Sequence, residues 1–199
     1  MKKLIVAILV IALLGLLLFD IYVLTFQKHS NCIEEEINQK QKDVSIFQNQ
    51  ILSYIYENEL LDIADCELYK EETPFRLFDI IANEPVLVLR FSEFNCNACV
   101  DFLTNQIKEN FVDYLTNPKI VLIYDSETMR LPQNIFEKPV FLTQKKNLLG
   151  LPMEKFNTPF MFILDKDMKA EQFFVPEMAM PELTNKYLTI IKRRYFKKK

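Results

Sequence analysis

VLVLRFSEFNCNACVDFL, residues 86–103, reads as a strand, a turn and the start of a helix. Val86 to Phe91 is apolar except for Arg90 and rich in Val and Leu, the pattern of a strand covered on both faces. From Cys96 to about Phe111, Phe102, Leu103, Ile107 and Phe111 recur on one helical face. The junction holds Phe94-Asn95-Cys96-Asn97-Ala98-Cys99, a CxxC in the first turn of the expected helix. That position has a chemical logic. A helix N-terminus presents unpaired N–H groups and a partial positive charge, which stabilise a thiolate on Cys96. Asn95 is placed to cap the helix. Cys99 lies on the same face and deeper, where it can resolve a mixed disulfide formed at Cys96. Two other readings of the pair stay open: a zinc or copper site, and a structural disulfide or idle thiols. A zinc site needs a second ligand pair, and Cys32, Cys66 and His29 form none.

Working outward, Lys119 to Tyr124 is a second buried strand, so the first strand, the CxxC helix and this strand make a parallel βαβ unit. Phe160 to Leu164 and Glu171 to Val175 flank the polar stretch Asp165-Lys166-Asp167-Met168, a hairpin. Pro181 to about Phe196 closes the chain as a helix with a basic tail, and Leu77 to Asn83 is a short helix. Thr73-Pro74 and Glu84-Pro85 punctuate the segment before the first strand, since a residue preceding proline is pushed out of the helical region. The expected fold class is α/β, a central mixed sheet flanked by helices.

Upstream, Leu4 to Phe26 is apolar except for Asp20. A helix of this length spans roughly 34 Å, enough for a hydrocarbon core of about 30 Å. Lys2 and Lys3 precede it and no Lys follows until Lys28, which sets the N-terminus in the cytoplasm and the rest outside. Residues 1–28 are therefore expected to be an uncleaved, single-pass anchor in the inner (cytoplasmic) membrane. Residues 29–62 form a helical stalk and residues 63–199 a domain in the periplasm or extracytoplasmic space. In the stalk Ile33, Ile37, Val44, Phe47, Ile51 and Tyr54 keep heptad-like spacing, interrupted by Lys40. The spacing suits either a coiled coil that makes a homodimer or, the slightly preferred reading, one amphipathic helix lying against its own domain.

Composition excludes several functions. The 199 residues carry a net charge of −3, which gives nucleic acid no purchase. Two isolated glycines, Gly15 and Gly150, build no phosphate loop, and a single histidine, His29 beside the anchor, rules out His-based triads. No metal site and no cofactor are expected.

The stretch at 86–103 resembles the active-site strand and helix of the thioredoxin-like superfamily, and NTPFMFILDKDMKAEQFFV, residues 157–175, resembles its later proline-led hairpin. In style the chain is similar to membrane-tethered TlpA/ResA-like thiol–disulfide proteins, which also carry an insertion between the CxxC and that proline. The resemblance covers roughly Phe75 to the C-terminus. It implies a thioredoxin-like domain in which Cys96 is the nucleophile, Cys99 the resolving thiol, and Thr158-Pro159 a cis-proline loop facing them and binding substrate backbone. It also implies protein thiols or disulfides as substrates and an electron partner. Three departures stand out: Asn95 replaces the usual aromatic, Met168 the usual hairpin glycine, and Arg90 the acid that many thioredoxins bury. If Arg90 points inward it favours thiolate and lowers a cysteine pKa. In the preferred reading it reaches outward and pairs with Glu93. Cys32 and Cys66 are read as structural or intermolecular.

The function expected is a membrane-anchored extracytoplasmic thiol–disulfide oxidoreductase. The alternative is a non-enzymatic bitopic scaffold with a divergent thioredoxin-like domain.

Overall fold

The computed structural model describes residues 2–70, 73–81, 84–126, 137–143, 145, 148–156 and 158–196, with the backbone alone for parts of the first helix. The chain divides into two compact units, Met1–Gln50 and Ile51–Lys199. The elements are α1 (Lys2–Asn58), β1 (Glu67–Lys70), β2 (Thr73–Arg76), α2 (Leu77–Ile81), β3 (Val86–Ser92), α3 (Asn97–Asn110), β4 (Ile120–Asp125), β5 (Phe141–Thr143), a 3-10 turn (Pro152–Lys155), β6 (Phe160–Leu164), β7 (Ala170–Phe174) and α4 (Pro181–Tyr195).

In the first unit, α1 contains the expected membrane span, but most side chains from Leu4 to Phe26 lie outside the described residues. Among the described residues no helix is long and apolar enough to cross a membrane. Farther along, Ile37 and Val44 are exposed.

In the second unit seven strands form one sheet, in the order β2-β1-β5-β4-β3-β6-β7. β3, β4 and β5 run parallel, and β6, β7, β1 and β2 add antiparallel neighbours on either side. Every residue of β3 and β4 is buried, as unbroken apolar strands require when helices cover both faces. One face packs Leu87, Leu89 and Phe91 against Leu103 and Ile107 of α3 and Leu188 and Ile191 of α4. The other packs Val86, Val88, Phe160 and Phe162 against Leu77 and Ile81 of α2 and the turn at Met153. The hairpin turn is closed by Asp165, whose Oδ1 accepts from the amides of Asp167 (3.0 Å) and Lys169 (2.7 Å). Met168 takes φ +60° there, a conformation glycine adopts without a steric cost. This mixed sheet with flanking helices fits a thioredoxin-like fold.

The end of α1 belongs to the second unit by packing. Tyr54 meets Phe156 with ring centroids 5.8 Å apart, and Asn58 Oδ1 accepts from the Met153 amide at 2.9 Å. Glu59 then spans the β7 edge, its two carboxylate oxygens accepting from the Gln172 and Phe173 amides at 2.8 Å each. Gln172 has φ +55°, so these consecutive N–H groups turn toward one point and form a small anion-holding concavity. This charged cover also protects an edge strand from pairing with other chains.

Candidate active site

β3 delivers the chain to the C-terminal end of the parallel strands, and a tight turn passes it into α3. Asn95 closes that turn from both directions: its N–H donates to Ser92 O (3.0 Å), and its Oδ1 accepts from the Ser92 N–H (2.8 Å). It is therefore not the helix cap. Cys96 is the N-cap residue, with φ −67° and ψ 136°, and its Sγ accepts from the Cys99 N–H at 3.1 Å. Sulfur stands where a capping oxygen usually does, which leaves Asn95 free to hold the turn. Cys96 and Cys99 are joined by a disulfide, Cα atoms 5.3 Å apart. Cys96 is exposed and Cys99 half-buried, so an incoming thiolate reaches Cys96 more readily.

Thr158 and Pro159 fall at the same end of the sheet. The antiparallel register between β3 and β6 pairs Arg90 with Phe160. Continuing it past the strand end sets Thr158 level with Ser92. No cis peptide bond occurs among the described residues, so the expected cis link at Thr158-Pro159 is corrected to trans. An X-Pro bond favours trans by about 0.5–1 kcal/mol unless its surroundings enforce the other form.

Arg90 departs from its preferred reading. It pairs with Asp125 instead of Glu93: the residue is 2% exposed, and its side chain donates to Asp125 Oδ2 through Nε (2.9 Å) and through Nη2. Asp125 Oδ1 accepts from Thr143 Oγ1 at 2.9 Å. The reason is register. Arg90 shares a sheet face with Val86 and Val88 and cannot leave it, while Asp125 pairs with Ser92 on the adjacent strand. Desolvation makes such a pair costly to break. Its guanidinium also lies 5.4 Å from the Phe160 ring centroid. Glu93 instead accepts from Ser126 Oγ at 3.3 Å.

Three members of this cluster escaped the sequence reading: Asp125, Thr143 and Glu154. Asp125 had a signal, being an acid that ends a buried strand level with the CxxC. Glu154, 5% exposed, accepts from the Leu149 (3.2 Å) and Leu151 (3.1 Å) amides around Gly150, whose φ of +82° lets the chain wrap the carboxylate. Burial holds the Glu154 carboxyl above its ordinary range, against the pull of those amides.

Cys66 is 8% exposed, and burial pushes its thiol up to about 12, so in this fold it is not available to a second chain. The Cys32 side chain lies outside the described residues. Among the described residues no group of three or more His, Cys, Asp or Glu could hold a metal ion.

No protein-family model matches the chain, and no curated protein matches it in sequence. Solved structures do. A thiol:disulfide interchange protein from Bacteroides sp. aligns at 11% identity and TM-score 0.49, covering 71% of this chain and 92% of its own. The peroxidoxin BcpB from Mycobacterium tuberculosis aligns at 16% identity and TM-score 0.46, covering 69% and 97%. A thioredoxin-like protein from Porphyromonas gingivalis aligns at 21% identity and TM-score 0.42, covering 69% and 96%. Likenesses of this grade carry no weight for function. By its own strand order, and by a CxxC disulfide at the strand-to-helix junction, the chain has a thioredoxin-like fold.

Proposed function

We propose that this protein is a membrane-anchored, extracytoplasmic thiol–disulfide oxidoreductase that exchanges disulfides with protein substrates through Cys96 and Cys99. One observation carries the reading: an exposed cysteine at the N-cap of α3, disulfide-bonded to a half-buried cysteine in the same first turn. A substrate thiolate attacks Cys96 Sγ, Cys99 leaves as thiolate, and either Cys99 or a second substrate thiol resolves the mixed disulfide. The helix N-terminus, with no acidic residue in its first turn, stabilises the thiolates that form. Phe94, 50% exposed beside Cys96, offers an apolar contact to the incoming chain. Thr158-Pro159 lies level with the end of β3 and supplies backbone for that chain to lie against. The exchange needs no bound cofactor, only an electron partner.

Anchoring rests on the apolar run Leu4 to Phe26 and the lysines before it. Exposed Phe19, Tyr22 and Phe26 at the outer end of that run suit an interfacial aromatic belt. The test of exchange is a pair of variants. Cys96→Ser abolishes disulfide exchange, and Cys99→Ser accumulates substrate-linked mixed disulfides at Cys96; unchanged exchange in Cys96→Ser ends the reading. The exposed Ile37 and Val44 favour a second reading, a scaffold joined by the stalk as a homodimer. In that case Ile37→Asp with Val44→Asp converts a stable dimer to monomer, and Cys96→Ser has no effect on partner binding.

A further inference from the structure

At the end of the sheet away from the CxxC, the second unit carries a cleft of about 400 Å³. Its position follows from register. Val121 and Phe141, which line it, stand at the starts of β4 and β5, whereas the CxxC turn follows the last residue of β3. Val121 pairs with Val88 and Asp125 with Ser92, so about four residues of strand, roughly 13 Å, separate the cleft from the active-site end. Phe75 of β2 meets Phe141 edge to face with ring centroids 5.9 Å apart, and Ile80 of α2 adds a further apolar wall. Pro118 and Pro139 also line it, and their fixed φ and missing N–H leave these loops stiff and poor in donors. The volume lies near the small end of the usual range for ligand pockets, about 300–1,000 Å³, which suits a body of about one ring.

The polar groups decide which ligand fits. Lys70 and Lys138 line the cleft against one acid, Asp79, which is exposed on α2. Lys138 is half-buried and pairs with no carboxylate among the described residues. Its Nζ donates to Asn117 O at 2.8 Å and, more weakly, to Leu115 O at 3.4 Å. An ammonium carries three protons, so one donor remains after both carbonyls are served. Lys70, half-buried at the end of β1, makes no side-chain hydrogen bond or ion pair among the described residues. Burial pulls the Lys138 ammonium below its ordinary value, and Lys70 adds to this against the counterpull of Asp113. Two half-buried cations beside apolar walls gain from an anion.

We propose that this cleft is a binding site for a small organic carboxylate with an apolar body of about one ring, separate from the site at Cys96. The apolar part packs among Phe75, Ile80, Val121 and Phe141, and the carboxylate accepts from Lys138 Nζ and Lys70 Nζ. Such charge-assisted bonds are stronger than neutral ones, and here they form at a partly desolvated position. With Asp79 counted, the lining keeps one positive charge in excess, which matches a monoanion.

Full-length protein in detergent, titrated calorimetrically with 4-phenylbutyrate, 4-phenylbutyramide and 4-phenylbutylamine against detergent alone, tests this. The carboxylate saturates one site and binds at least about tenfold more tightly than the amide, the return expected of a charge-assisted bond. The amine does not saturate. Lys70→Gln, which disturbs no contact of the 115–117 loop, weakens the carboxylate about fivefold and leaves the amide unchanged. Thr116→Trp, at an exposed lining position, blocks both ligands. Equal affinity for acid and amide, full affinity in Lys70→Gln or Thr116→Trp, or no saturable binding of the carboxylate overturns the inference. Each of these outcomes leaves the exchange reading standing. The equilibrium of the Cys96–Cys99 pair with glutathione tests that reading separately, and it keeps its wild-type position in Lys70→Gln.

Discussion

The two faces of β3 do different work. Leu87, Leu89 and Phe91 pack into the apolar cluster on the α3 and α4 side. Val86 and Val88 begin the other face in the same way, but Arg90 and Ser92 finish it, joined by Asp125 and Thr143 on the adjoining strands. The polar half lies at the strand ends that carry the CxxC turn. A sheet built only for stability has no use for an ion pair there, since apolar residues of equal volume hold a core as well or better. The first face is scaffold, and the end of the second is site.

That contrast can be broken most sharply at Asp125. Asp125→Ala leaves Arg90 buried without its counter-charge, a loss of about 3–5 kcal/mol in unfolding free energy by denaturant titration. Leu103→Ala on the scaffold face comes next, at about 3 kcal/mol from lost burial and the cavity left behind, and it leaves the glutathione equilibrium unmoved. The combined Arg90→Met and Asp125→Leu change is smaller in magnitude and opposite in sign, from neutral to about 2 kcal/mol more stable. It nevertheless shifts the glutathione equilibrium of the Cys96–Cys99 pair, separating stability from redox poise. If the double variant keeps wild-type redox behaviour, the division between the faces fails.

The smallest effect is a pH slope. Burial holds Glu154 above its ordinary value of 4.5, so the folded state binds that proton more tightly than the unfolded chain does. Stability from this group is full below the ordinary value and declines as pH rises through the raised folded value. Glu154→Gln flattens that decline in a pH series of thermal melts; an unchanged slope contradicts the assignment.

What the sequence could reveal follows from how local each cause is. The βαβ core was legible because Val86 to Phe91 and Lys119 to Tyr124 are unbroken apolar runs, and the hairpin because Asp165 organises its own turn. β1, β2 and β5 were not, being three or four residues long; every residue of Thr73–Arg76 is exposed, so no burial pattern marks it. The Cys96–Cys99 pair was legible as a motif, but the bed beneath it was not. Nearest-neighbour reasoning gave Arg90 to Glu93, whereas sheet register gives it to Asp125 on the next strand. The cis form of Thr158-Pro159 came from resemblance, and the local backbone has trans. The Glu59 carboxylate on the β7 amides joins residues more than a hundred positions apart, and no periodicity announces such a contact.

The central claim, that Cys96 and Cys99 exchange disulfides, is tested most directly by titrating the full-length protein through a graded series of glutathione buffers. Thiols are trapped by alkylation and the products weighed by mass spectrometry. The expected result is one reversible two-electron transition between disulfide and dithiol, with glutathione captured on Cys96 in the Cys99→Ser variant. A disulfide that does not interconvert across the series, or capture at another cysteine, contradicts it.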